Sequence, residues 1–120
     1  MRNFRELEIW SLGKRLTTEI YQLTSDLPKS EIYGLTSQMR RAAVSIPSNI
    51  AEGCSRNSNK EFIRFLEIAI GSSFELETQL IISEELEFLS QNEVQGLLRS
   101  LSILQPKINS FIQSVKKFQK

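Results

Sequence analysis

The sequence predicts an all-α fold, an antiparallel up-down-up-down four-helix bundle. Three observations carry the prediction. Apolar residues recur at three- and four-residue steps in four separate stretches, the spacing that lines one face of a helix. Helix breakers are sparse, three prolines and five glycines in 120 residues, and long stretches contain neither. The connections are short, which makes consecutive helices antiparallel neighbours. No strand-like alternation, internal repeat or low-complexity tract interrupts the pattern, so residues 1–120 read as one domain.

The first helix is predicted from about residue 6 to 25. Ile9, Gly13, Leu16, Ile20, Leu23 and Leu27 form its inward stripe, and Asp26-Leu27-Pro28 ends it because the residue before proline avoids the α region. The second is predicted over about 33–54, with Leu35, Met39, Ala42, Ala43, Ile46 and Ile50 inward. Pro47 lies inside this pattern and is expected to kink the helix or free one carbonyl. Gly53 reads as its terminator.

The third helix, about 59–87, opens on Ser58-Asn59-Lys60-Glu61, a capping box in which serine and glutamate satisfy free backbone donors. It carries two apolar stripes: Phe62, Leu66, Ala69, Leu76 and Leu80, then Ile63, Ile70, Phe74, Ile81 and Phe88. Gly71-Ser72-Ser73 reads as a close helix-packing spot. The fourth, about 91–118, opens on a second box, Ser90-Gln91-Asn92-Glu93. Val94, Leu97, Leu101, Leu104, Ile108, Phe111, Val115 and Phe118 give it a heptad seam, with Pro106 off the seam predicting another kink.

Two stripes on the third helix are wider than the roughly 100° that one core needs. The second helix is small and flat outside, at Ser37, Val44, Ser48 and Ala51. Trp10 and Tyr21 share the side of the first helix away from Leu16 and Ile20. Apolar surface of that extent usually marks a subunit interface; the alternative is that these residues close a wide monomeric core, with one helix more central than the others. The expectation is a homo-oligomer, with Trp10, Tyr21, Val44, Ile63, Ile70, Phe74 and Ile81 as candidate interface residues.

The chain has no histidine, which removes the usual base near neutral pH and the commonest transition-metal ligand. Cys54, the only cysteine, sits near a helix C-terminus, where the dipole favours the neutral thiol. Serines lack a base, di-iron Glu-x-x-His pairs cannot exist, and no Gly-rich phosphate loop is present. The expectation is therefore a protein that is not an enzyme, with no catalytic residue, metal or cofactor. The first six residues lack an apolar signal core and no apolar run spans a bilayer, so the expected location is the cytoplasm, with no membrane partner.

A net charge of +1 hides an axial asymmetry. Up-down-up-down topology brings Arg2, Arg5, Arg56, Lys60, Arg64, Lys116, Lys117 and Lys120 to one pole, against Glu6, Glu8, Glu52 and Glu61. The other pole gathers Asp26, Glu31, Glu84, Glu85, Glu87 and Glu93 against Lys29 and Arg99. In a parallel ring of protomers the basic pole becomes a ring of positive charge, suited to a phosphate backbone. The alternative is that these charges solubilise helix ends. Arg41, Ser48 and Glu52 share a flank, with Asn49 near the inward stripe; this reads as a small polar site, or as an intersubunit network that fixes register.

Several blocks resemble the four-helix-bundle proteins encoded in 23S ribosomal RNA intervening sequences. They are Phe4-x-x-Leu7-x-Ile9-Trp10, Ile20-Tyr21-x-Leu23-Thr24, Glu31-x-Tyr33-Gly34-Leu35-x-x-Gln38-x-Arg40-Arg41-Ala42-Ala43-x-Ser45-Ile46 and Asn49-Ile50-Ala51-Glu52-Gly53. Glu61-Phe62-x-x-Phe65-Leu66-x-Ile68-Ala69-x-Gly71-Ser72 and Glu75-Leu76-x-x-Gln79-Leu80 extend the resemblance over about residues 4–90. It implies an antiparallel bundle assembled as a ring, a pentamer. Accessory proteins of diversity-generating retroelements form a similar barrel, whose basic ring is thought to engage nucleic acid and a reverse transcriptase. By position, Arg40, Arg41, Asn49, Glu52 and Gly53 are the signature residues, and the resemblance assigns them no role. The expected partners are further copies of the chain, RNA or another nucleic acid at the basic pole, or, alternatively, a partner protein held without nucleic-acid contact.

Overall fold

A 3₁₀ turn at Phe4–Glu6 precedes the first helix, and Asn3 caps it by accepting the Arg5 N–H at 3.1 Å. This computed structural model describes residues 2–118. Among them are four α-helices: α1 (Glu8–Thr24), α2 (Leu35–Cys54), α3 (Asn59–Glu85) and α4 (Gln91–Lys117). Each helix end coincides with its predicted position or lies one or two residues inside it. They form the antiparallel four-helix bundle predicted above, 49 × 23 × 20 Å. Each helix packs on the next, α4 closes back loosely on α1, and α2–α3 is the most intimate pair.

The inward stripes of the first two helices and the first stripe of α3 form the core. Leu16, Ile20, Met39, Ile46, Ile50, Phe62, Leu66, Leu76 and Leu80 are all buried, and each such side chain contributes about 1.5–3 kcal/mol over its exposed state. The α4 seam departs from its predicted register near the end. Ile112 is buried, Phe111 is only partly so, and Phe118 is 78% exposed. An α-helix turns every 3.6 residues and outruns a strict heptad, so the buried position slips by one.

Pro47 is accommodated within a continuous α2. Its missing N–H leaves the Ala43 carbonyl without a helical donor. The Thr17 hydroxyl of α1 supplies one at 3.0 Å while also lying 2.9 Å from its own Gly13 carbonyl. Gly13 lets the helices meet there: a Cβ on it would stand 3.3 Å from Ile46 Cγ2 and 3.4 Å from Pro47 Cδ. Pro106 sits on the exposed face of an uninterrupted α4.

Gly53 is not the terminator predicted. It lies inside α2 and has no positive φ. A Cβ on it would fall 2.9 Å from both Phe62 Cδ1 and Phe65 Cβ, so glycine is there to let α2 and α3 approach. Gly71 is also corrected: among the described residues nothing lies within 4 Å of where its Cβ would be. Its neighbours do make the contact, Ser72 and Ser45 hydroxyls meeting at 2.8 Å. Asn49 Nδ2 donates to the Ser45 carbonyl at 2.8 Å and to its hydroxyl at 2.9 Å, fixing this polar seam between α2 and α3.

Both predicted capping serines act as caps. Ser90 and Glu93 form the complete box. At Ser58 only half forms: Ser58 Oγ accepts the Glu61 N–H at 3.1 Å, while the Glu61 carboxylate turns to the serine hydroxyl instead of its backbone. The end of α3 carries a feature with no sequence signal. Glu87 has φ 63°, the Phe88 N–H reaches the Ser83 carbonyl at 2.9 Å and the Glu87 N–H reaches that of Glu84 at 3.0 Å. This is a Schellman ending with glutamate where glycine is usual.

The second stripe of α3 divides. Ile63, 6% exposed, belongs to the core, and Ile70 packs partly against it, so these two candidate interface residues lie largely inside the protomer. Phe74 and Ile81 do face outward, joined by Ile68, Ile82 and Leu86. Tyr21 and Val44 are exposed, and Trp10 is half-buried in an edge-to-face contact with Phe4, centroids 5.0 Å apart. Among the described residues no helix is long and apolar enough to cross a membrane.

Candidate nucleic-acid interface

One end of the bundle is built from the 3₁₀ turn before α1, the α2–α3 turn and the end of α4. The Arg2 N–H donates to the Cys54 carbonyl at 3.1 Å, stitching the start of the chain to the last turn of α2. Arg2 Nη2 reaches Asn59 Oδ1 at 3.2 Å, and the guanidinium lies 4.3 Å from the centroid of the Phe62 ring. Arg5 stands over Phe4 at 4.7 Å and Arg56 over Phe65 at 4.8 Å. Three candidate arginines thus each rest on an aromatic face, which attracts the cation and limits its rotamers.

Arg56 is also paired with Glu52 at 3.1 Å, one turn back on α2. Its Nε is buried and has no hydrogen-bond partner among the described residues. Lys60, Arg64 and Lys116 line one groove between α3 and α4, floored by Ile63 and flanked by Glu61 and Glu67. Arg64 lies on the edge of a second groove with Arg56 and Phe65. Lys117 is exposed at the end of α4. Lys120 lies outside the described residues. The structure therefore brings the candidate bases into three adjoining pieces: Arg2 and Arg5 beside α2, Arg56 and Arg64 beside Phe65, and Lys60, Arg64 and Lys116 across α3 and α4.

The signature residues separate. Gly53 underlies the Phe62 ring and the Cβ of Phe65, and Glu52 holds Arg56. Asn49 belongs to the Ser45–Ser72 seam, remote from the exposed Arg41. Arg40 is fixed by Thr24 Oγ1 at 2.9 Å and stacks 4.6 Å over Tyr21. Cys54 is 2% exposed beneath Arg2, and burial pushes its thiol pKa up, against the lowering effect of the Arg2 charge. Among the described residues no group of three or more His, Cys, Asp or Glu is placed to hold a metal ion.

The family model of the 23S rRNA-intervening sequence protein matches residues 5–110. This chain belongs to that family. A crystal structure of a protein with unknown function from the S23 ribosomal protein family of Bacteroides thetaiotaomicron superposes with a TM-score of 0.81 at 21% identity, covering 87% of this chain and 97% of that one. At that identity the likeness shows the fold. None of the curated proteins is significantly similar to this chain. For an intervening sequence protein, the match extends beyond the motif blocks that end near residue 90 and takes in most of α4.

The arginine–aromatic pairs escaped the sequence reading, which placed the bases but not their supports. Arg2 and Phe62 lie in segments far apart in the chain, and only the turn of the bundle joins them. Phe4 directly precedes Arg5, which was the available signal; Phe65 lies on α3 beyond the turn that holds Arg56, and only the fold joins them.

Proposed function

We propose that this intervening sequence protein is a non-enzymatic homo-oligomer that binds RNA, or another nucleic acid, through the phosphate backbone at its basic pole. The observation that carries this is the seating of Arg2, Arg5 and Arg56 on three aromatic rings at one end of the bundle. A guanidinium held over an aromatic ring loses little freedom on binding, and N–H groups beyond the one that Arg2 gives to Asn59 and Arg56 to Glu52 can reach phosphate oxygens. Lys60, Arg64 and Lys116 extend the surface as point charges. Base-specific readout is not proposed, because the Phe4, Phe62 and Phe65 rings are occupied by cations. A pentameric ring, as the family resemblance implies, would repeat the surface around an axis. The single buried thiol suits action in the reducing cytoplasm.

The test is RNA affinity as a function of salt. Arg56→Glu with Lys60→Glu should weaken binding to a short structured RNA by at least tenfold at low salt and flatten the dependence of log affinity on log salt. Unchanged affinity and slope would sink the proposal. A second reading, a scaffold for a partner protein, is favoured by Ile32 and Tyr33, which stand exposed side by side at the acidic pole. A partner recovered after nuclease treatment, and lost on Tyr33→Ser, would favour it.

A further inference from the structure

Two outward faces of the bundle differ in charge and share an apolar character. The face across α1 and α2 presents Tyr21 and Val44 with Lys14, Arg40 and Arg41. Glu19, on α1, turns away into the groove between α1 and α4. The outer face of α3 presents Ile68, Phe74 and Ile81 among Glu67, Glu75 and Glu85, and the sequence holds no base from Glu67 to Glu93. Its middle residue, Gly71, is exposed, and among the described residues nothing lies within 4 Å of where its Cβ would be, although a glycine inside a helix costs backbone entropy that a close approach would offset.

We infer that these faces are the two halves of one heterologous contact between copies of this chain: the basic α1–α2 face of one protomer covers the acidic outer face of α3 on the next, with α2 crossing over Gly71. The inference rests on the oligomeric part of the proposed function and adds the faces and the orientation. Heights along the bundle agree. Val44 lies ten residues before the end of α2 and Gly71 twelve after the start of α3. Both are measured from the basic pole, so they stand about 15 and 18 Å along the axis. Arg41 and Glu75 come out at about 20 and 24 Å on the same scale. Small side chains on α2, Ser48 and Val44, allow the approach that Gly71 leaves room for. The matching holds for parallel protomers, which puts all basic poles on one side. A face that binds a different face cannot close as a two-fold pair, so the contact propagates into a ring or a filament.

The test uses Val44→Glu, which puts an acid on the basic face, and Phe74→Glu, which adds one to the acidic face. Both residues are exposed, so circular dichroism should show each variant folded. Light scattering without nucleic acid should give each variant alone the mass of one chain. Mixed in equal amounts they should give two chains, one of each kind, since one intact pair of faces remains and the other pair meets acid to acid. Gly71→Leu, which has open space within the protomer, should keep or raise the unfolding midpoint while lowering the assembled mass. Either glutamate variant assembling like the unaltered chain would overturn the pairing of these faces. Failure of the mixture to pair would do the same. An unaltered chain that stays single at every concentration would overturn the oligomeric reading itself, and RNA affinity measured on that chain would then judge the basic pole separately.

Discussion

The hydroxyl of Thr17 on α1 donates to the carbonyl of Ala43 on α2 at 3.0 Å, the acceptor that Pro47 deprives of its helical partner. One helix thus repairs a defect in the next. Thr17→Val should cost about 1–3 kcal/mol by leaving that carbonyl unpaired. Pro47→Ala restores the missing N–H, so in that background Thr17→Val should cost clearly less. Urea unfolding of the four proteins in a double-mutant cycle measures the coupling. Equal costs in both backgrounds would show that the two residues act independently.

Gly53→Ala should destabilise the fold by about 1–3 kcal/mol through overpacking, despite alanine's better helix propensity. A Cβ there meets Phe62 and Phe65 at 2.9 Å. The loss should appear as a lower urea midpoint. A midpoint at or above that of the unaltered chain would mean that the Phe62 ring and the α3 backbone at Phe65 can move aside.

Glu87→Gly should stabilise by about 0.5–1 kcal/mol, because Glu87 holds φ 63°, a left-handed conformation that glycine adopts without a Cβ penalty. Thermal unfolding is sufficient to detect it. Glu87→Ala, which keeps the penalty and removes the charge, separates backbone strain from repulsion at the acidic pole.

Cys54 gives a pH dependence of definite sign. Burial raises its pKa in the fold above the reference value of 9.0, so the folded chain keeps the proton after the unfolded chain has lost it. The stability from the neutral thiol is fully present below about pH 9 and is lost as pH rises through the raised folded value. Stability of the unaltered chain should fall more steeply above pH 9 than that of Cys54→Ala. Native Cys54 should also react with a thiol reagent only as fast as the chain opens.

The bundle was legible because its core is periodic. Phe62, Leu66, Ala69, Leu76 and Leu80 lie on one helical stripe, and all are buried. Interactions between helices were legible only in part. The sequence announces the carbonyl that Pro47 frees but not that Thr17 fills it, since that depends on how α1 rotates against α2. Gly53 resembled a helix end because glycine serves both as a terminator and as a point of contact, and only the positions of Phe62 and Phe65 decide between them. Ile63 looked like outward surface on a stripe shared with Phe74, yet α4 reaches round to cover it near the basic pole, where Lys116 joins it in one groove.

The clearance at Gly53 has a consequence for how this protein would fail. Phe62, which meets it with its ring, and Phe65, which meets it with its Cβ, are the seats of Arg2 and Arg56. Two cations supplied by different segments therefore share a single mechanical support, and neither can be repositioned alone by a change at that contact. A methyl group added in the interior would be felt at the surface as two charges displaced together, so a binding defect could arise from a residue that no ligand ever touches.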